Sequence, residues 1–122
     1  KIGFNQRKKS GAGYYIGPER LQNMHPNAVS DILRMVPGLR VSYGPQGDVV
    51  SSSRGSGSGC VQYYLDDMLY TEMTPGDINS FVSGGEVVAV EVYQDTNTPP
   101  QFARAGMYCT TIVLWTRFKV RS

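Results

Sequence analysis

Cys109-Thr110-Thr111-Ile112-Val113-Leu114-Trp115-Thr116-Arg117-Phe118 lies in the longest part of the chain free of Gly, Pro, Asn and Asp. Its β-branched and aromatic side chains suit a pleated, buried surface, which predicts a strand. Alternation places Ile112, Leu114, Thr116 and Phe118 on one face and Thr111, Val113, Trp115 and Arg117 on the other. Both faces are apolar as far as Leu114 and Trp115, so the strand is expected to be covered on both sides. Past that point Arg117, Lys119 and Arg121 recur at every second residue and turn one face cationic. Cys109 opens the run, and its one possible partner within the chain is Cys60.

Each cysteine immediately precedes a strand-like run, Val61–Leu65 and Thr110–Phe118, so neighbouring strands can bring the two together. A bridge closing so long a loop stabilises a fold by about 4 kcal/mol in the chain-entropy model and implies an oxidising compartment such as the periplasm. The competing reading is a pair of buried free thiols in a cytosolic protein. The absence of Cys-x-x-Cys spacing and the presence of a single histidine, His25, speak against a zinc site.

The 122 residues, 40% hydrophobic and 18% charged, fit one globular domain with a real core. No apolar run approaches the roughly 20 residues of a membrane-spanning helix. Because the chain starts at Lys1, a leader or preceding segment is expected before it. Residues 1–60 hold eight Lys/Arg against three Asp/Glu, and residues 61–122 hold four against seven. This asymmetry can steer an acidic partner to the N-terminal part. Residues 1–13, with Arg7, Lys8 and Lys9, read as a basic flexible arm, and residues 14–122 as the folded domain.

Gly17-Pro18-Glu19-Arg20 reads as a helix start. Pro26 is expected to open a second helix, whose apolar stripe is Val29, Ile32, Leu33 and Val36, stopped by Pro37-Gly38. Leu39–Tyr43 and Val49–Arg54 read as the two strands of a hairpin. Val61–Leu65 and Met68-Leu69-Tyr70 flank a bend at Asp66-Asp67, and Asp tolerates left-handed turn geometry. Ile78–Val82 reads as a short helical segment ended by Gly84-Gly85. Val87–Tyr93 is a further strand, with Val88, Val90 and Val92 opposing Val87, Ala89, Glu91 and Tyr93. Together these pieces predict an α+β fold, a small mixed sheet of four to five strands with two or three short helices.

No catalytic constellation emerges. The Asp66-Asp67 pair reads as a hairpin bend, since neighbours on a strand point to opposite faces and no base lies near. His25 reads as a cap or surface residue, with no third group to make a triad. The Gly55–Gly59 loop precedes a strand and not a helix, which is wrong for phosphate binding. Slight net charge and basic residues gathered in a tail argue against nucleic acid. No metal, cofactor or enzymatic role follows.

The order of pieces resembles the plug domain of TonB-dependent outer-membrane receptors. The resemblance runs through Val29-Ser30-Asp31-Ile32-Leu33-Arg34-Met35-Val36-Pro37-Gly38-Leu39-Arg40-Val41, Arg54-Gly55 and Tyr64-Leu65-Asp66-Asp67. It continues with Val87-Val88-Ala89-Val90-Glu91-Val92-Tyr93 and Thr111-Ile112-Val113-Leu114-Trp115-Thr116. Asp67 stands where the family has glycine, so a tighter or differently twisted hairpin is expected. The resemblance implies a plug-like α+β fold. It does not by itself imply transport, because the stretch ending at Ser122 has no room for a transmembrane barrel.

The expected function is a non-catalytic periplasmic module, an adaptor or structural subunit docking on another envelope protein or membrane complex. Its candidate contacts are Arg7, Lys8 and Lys9, the tyrosines Tyr63, Tyr64 and Tyr70, and Arg117, Lys119 and Arg121. The alternatives are the plug fragment of a receptor gating nutrient uptake, and small-molecule or glycan binding through the tyrosine-rich face.

Overall fold

In a computed structural model, which describes residues 3–11, 13–43, 48–52, 60–74, 76–94, 98–99, 102 and 109–117, the strand Thr110–Thr116 (β7) is buried along its whole length. It lies between β6 (Val87–Tyr93), which pairs antiparallel to it, and β4 (Val61–Leu65), which pairs parallel. β1 (Tyr14–Ile16) adds to the outer side of β6 and β5 (Met68–Tyr70) to the outer side of β4. The result is a five-stranded mixed sheet of order β1-β6-β7-β4-β5. Ile112 and Leu114 enter one core and Val113 and Trp115 a second core on the opposite face, as the alternation requires. β7 ends sooner than the sequence suggests, and Arg117 already has helical geometry. The expected cationic strand ladder therefore does not begin at Arg117, while Lys119 and Arg121 lie outside the described residues.

β6 departs from simple alternation. Its register with β7 shifts between Val87 and Ala89, and this bulge inserts one extra residue into the strand. Val87 consequently joins Val90 and Val92 in the first core, while Val88 packs against the second. Uninterrupted alternation had put these two valines on the opposite faces.

The first face is covered by α2 (Pro18–Met24), with Pro at its start, and by α3 (Val29–Leu33). Leu21, Val29, Ile32, Leu33 and Val36 are all buried there, so the expected apolar stripe is the packed one. The second helix begins three residues later than Pro26 would have it. Ala28 is extended and bridges to Ser83, and the Gly84 amide donates to the Asn27 carbonyl at 3.0 Å. That pairing commits the backbone before Val29 to a non-helical path. Gly84 is needed for it, since a Cβ there would meet the Pro26 carbonyl oxygen at 2.7 Å. The Asp31 carboxylate accepts from the Ala28 amide at 3.0 Å and caps the new start. β2 (Leu39–Ser42) and β3 (Val49–Ser52) form a separate antiparallel hairpin, and α4 (Ile78–Phe81) with the 3-10 turn Gly84–Glu86 precedes β6.

Cys60 and Cys109 are joined by a disulfide, with Cα atoms 4.9 Å apart. The bridge ties together the starts of the parallel neighbours β4 and β7, where the Thr110 amide also donates to the Cys60 carbonyl at 3.1 Å.

Between β4 and β5, Asp66 (φ 51°) and Asp67 (φ 77°) are both left-handed, the two-residue turn that matches strand twist. Asp66 has a second task. Its carboxylate accepts from the Thr116 amide at 2.7 Å and from the Thr116 hydroxyl, fastening the hairpin to the end of β7. The two aspartates should therefore respond oppositely to glycine. Asp67→Gly relieves left-handed strain and should stabilise the chain by about 1 kcal/mol. Asp66→Gly loses hydrogen bonds to a charged group and should cost about 2 kcal/mol. Urea denaturation of the two variants measures both.

Candidate functional site

The second face of the sheet holds a buried carboxylate. Glu91, in the middle of β6, is 0% exposed. Arg7 reaches it from α1 (Phe4–Ser10), donating from Nε to Oε1 at 2.6 Å and from Nη2 to Oε2 at 2.7 Å. Trp115 Nε1 donates to Oε2 at 2.7 Å, and the Tyr93 hydroxyl donates to Oε1. The Arg7 guanidinium also sits 5.3 Å from the centre of the Phe102 ring. Aromatic rings wall the cluster: Tyr15 lies edge-to-face with Phe4 at 5.9 Å and with Tyr93 at 5.8 Å. The hydrogen bond to Glu91 raises the Arg7 pKa against the opposing effect of burial. Burial first, then the bond to Glu91, pushes the Tyr93 phenol up as well. Both partners are thereby held in the protonated forms that donate to the carboxylate.

The expected flexible arm is thus a helix over Phe4–Ser10, with Phe4 buried and Arg7 engaged. Lys8 and Lys9 remain exposed on its outer side. Sequence reasoning placed Glu91 on its strand face but gave it no role. The available signal was a carboxylate inside the apolar run Val87–Tyr93, which needs a buried cation or several donors. Removing one member of such a pair strands the other, at about 3–5 kcal/mol. Arg7→Ala should lose that much stability in urea denaturation, whereas Lys8→Ala should change it by less than about 0.5 kcal/mol.

The tyrosines expected on a contact surface separate. Adjacent strand residues face opposite ways, so Tyr63 enters the first core and Tyr64 the second, where it lies 5.1 Å from Phe102. Both are buried and neither offers a docking surface. Tyr70 is half-buried, packs on Phe81 at 5.0 Å and donates to Asp77 Oδ1 at 2.9 Å. Around it the chain exposes apolar side chains that the sequence reading did not single out: Met68 (73%), Met73 (91%) and Phe81 (65%). The hint was Met73 in a turn-rich stretch, with Met68 and Phe81 in elements too short to bury every apolar side chain. Met68 lies on β5, an edge strand of the sheet, and Phe81 packs on Tyr70 of the same strand.

Two carboxylates organise the turn beside this rim. Glu72 accepts from the amides of Gly76 and Ile78, each at 3.1 Å, and burial raises its pKa. Asp77 accepts from the amides of Met73 and Thr74, and the Thr74 bond leads in lowering its pKa. Burial, then the bond to Asp77, pushes the Tyr70 phenol up to about 12. A folded pKa above the unfolded value near 10 means that stability from this group is complete below pH 10. It is lost as pH rises toward 12. Tyr70→Phe should remove one phenol's share of the absorbance that appears near pH 12, read as the difference between wild-type and variant titrations at alkaline pH.

On the first-face side, a cleft of about 590 Å³ opens between α2, the 3-10 turn and the start of β6. Leu21, Val87 and Val88 line it together with Gln22, His25 and Arg117. Of the expected contacts it holds Arg117 alone, on the opposite side of the sheet from Arg7. His25, left-handed at φ 50°, closes α2 as its C-cap. Among the described residues no group of three or more His, Cys, Asp or Glu could hold a metal, and no helix is long and apolar enough to cross a membrane.

Residues 5–105 match the family model of the TonB-dependent receptor plug domain. The chain belongs to that family. Solved structures with the same fold include the ferric enterobactin receptor PfeA of Pseudomonas aeruginosa. It is 17% identical with a TM-score of 0.67, over 94% of this chain and 18% of that one. The siderophore receptor PirA of Acinetobacter baumannii is 18% identical with a TM-score of 0.65, over 93% of this chain and 18% of its own. FpvA of P. aeruginosa, in complex with heterologous pyoverdines, is 18% identical with a TM-score of 0.62, over 84% and 13%. The chain therefore spans less than a fifth of the length of these receptors. No curated protein sequence matches it.

Proposed function

We propose that this plug domain is a non-catalytic protein-docking module of the periplasm that seats on a larger envelope protein or membrane complex. The observation that carries this reading is the rim at β5 and α4. Both faces of the sheet are already filled by the chain's own side chains, yet Met68, Met73 and Phe81 stay exposed beside an edge strand. Exposed apolar side chains at an edge strand favour contact with another protein. The Cys60–Cys109 bridge supports an oxidising compartment.

The second reading is the plug of a receptor gating nutrient uptake, favoured by likeness to siderophore receptors of which plugs form one part. In that case the same rim would meet the wall of a barrel in its own polypeptide.

Incorporation of a photo-crosslinking amino acid at Phe81 in native cells separates the two. A docking module should give an adduct with a separate envelope polypeptide. An adduct confined to the module's own polypeptide establishes the receptor reading. The absence of any adduct at Phe81 removes the support for docking through this rim.

A further inference from the structure

We propose that the pocket beneath α1 is an arginine-recognition site, filled by Arg7 in the resting chain and open to the arginine of a docking polypeptide in its place. The biological occupant rests on the docking reading above, and the existence of the site does not.

The site is built by the sheet and not by the helix that fills it. Tyr93 on β6 and Trp115 on β7 both donate to the Glu91 carboxylate, so strand residues aim each of its two oxygens. What remains open is the edge that receives two parallel N–H groups, which a guanidinium satisfies and an ammonium cannot. The Phe102 ring offers its face to the same planar group.

The built-in occupant is held through two of its side chains, Phe4 and Arg7. α1 has seven residues, no side-chain cap at Gly3, and left-handed glycines at both ends, Gly3 at φ 79° and Gly11 at φ 72°. A helix of that length is not stable alone. Asn5, Gln6, Lys8, Lys9 and Ser10 are exposed, so buried Phe4 and half-buried Arg7 are its anchors. Exchange therefore replaces two side chains spaced three residues apart on one helical turn. The matching partner segment carries an aromatic residue followed three positions later by arginine.

The test uses the full chain with Arg7→Ala, probed with methylguanidinium and with a peptide of this chain's own residues 1–10. Trp115 is the sole tryptophan and donates directly to Glu91, so its fluorescence reports on the site. Each probe should change that fluorescence saturably and raise the melting temperature by about 5 °C. The peptide carrying Arg7→Lys should bind at least tenfold more weakly, and the double variant Arg7→Ala/Glu91→Gln should not respond. Should Arg7→Ala fail to fold, Phe4→Ala keeps the ion pair and loosens α1. It should then bind the labelled peptide, with methylguanidinium competing. Equal binding of the arginine and lysine peptides overturns the proposal, as does no response in whichever variant folds. A missing crosslink from Phe81 would sink the docking reading and leave this result standing.

Discussion

A strand buried along both faces has no solvent side on which to leave a polar group, and that condition on β7 governs the domain. Two cores must form, one against α2 and α3 and one against the aromatic layer on the reverse side. Neighbouring strands must also satisfy both of its backbone edges, which β6 and β4 do from opposite sides. At its start the hydroxyl of Thr110 bonds to Ser52 at 2.7 Å and to Gln94 at 2.8 Å. At its end Thr116 bonds to Asp66. Polar residues on this strand thus mark where it meets other elements.

The two cores are unlike in chemistry. The first is aliphatic, with Ile, Leu and Val predominating, and is closed by helices whose stripe is set by turn geometry. The second is aromatic and contains a charge. Burying a carboxylate is costly unless donors surround it, and here arginine, tyrosine and tryptophan supply them. A buried ion pair adds little net stability over a well-packed apolar alternative, but losing one partner is expensive. The cluster therefore acts more as a lock on the position of α1 than as a source of fold stability.

Features set by local rules were legible in the sequence: the faces of β7 from alternation, the stripe Val29-Ile32-Leu33-Val36 from helical period, and the left-handed turn from Asp66-Asp67. The order of these motifs was enough to bring out the plug resemblance. The disulfide was legible because each cysteine opens a strand. Other features depend on contacts distant in sequence. The bulge that turns Val87 to the first core exists only through register with β7. The late start of α3 follows from pairing with Ser83, 55 positions away from Ala28. Polar α1 is helical because Glu91 and the aromatic layer give Arg7 and Phe4 somewhere to go, and no window of ten residues carries that information. Tyr63-Tyr64 misled for a similar reason: as a pair they suggest a surface, yet one ring was needed in each core.

The covalent link between the starts of β4 and β7 also decides how the domain answers tension. If the chain is drawn out from its ends, load passes from Cys60 straight across sulfur to Cys109, bypassing the 49-position loop between them. β4, β5 and β6 lie inside that loop and cannot unspool, which withholds about 170 Å of contour length from extension. Only α1, β1, α2, α3, the β2–β3 hairpin and β7 can be peeled away. Severing the bridge would turn a short tether into a long one.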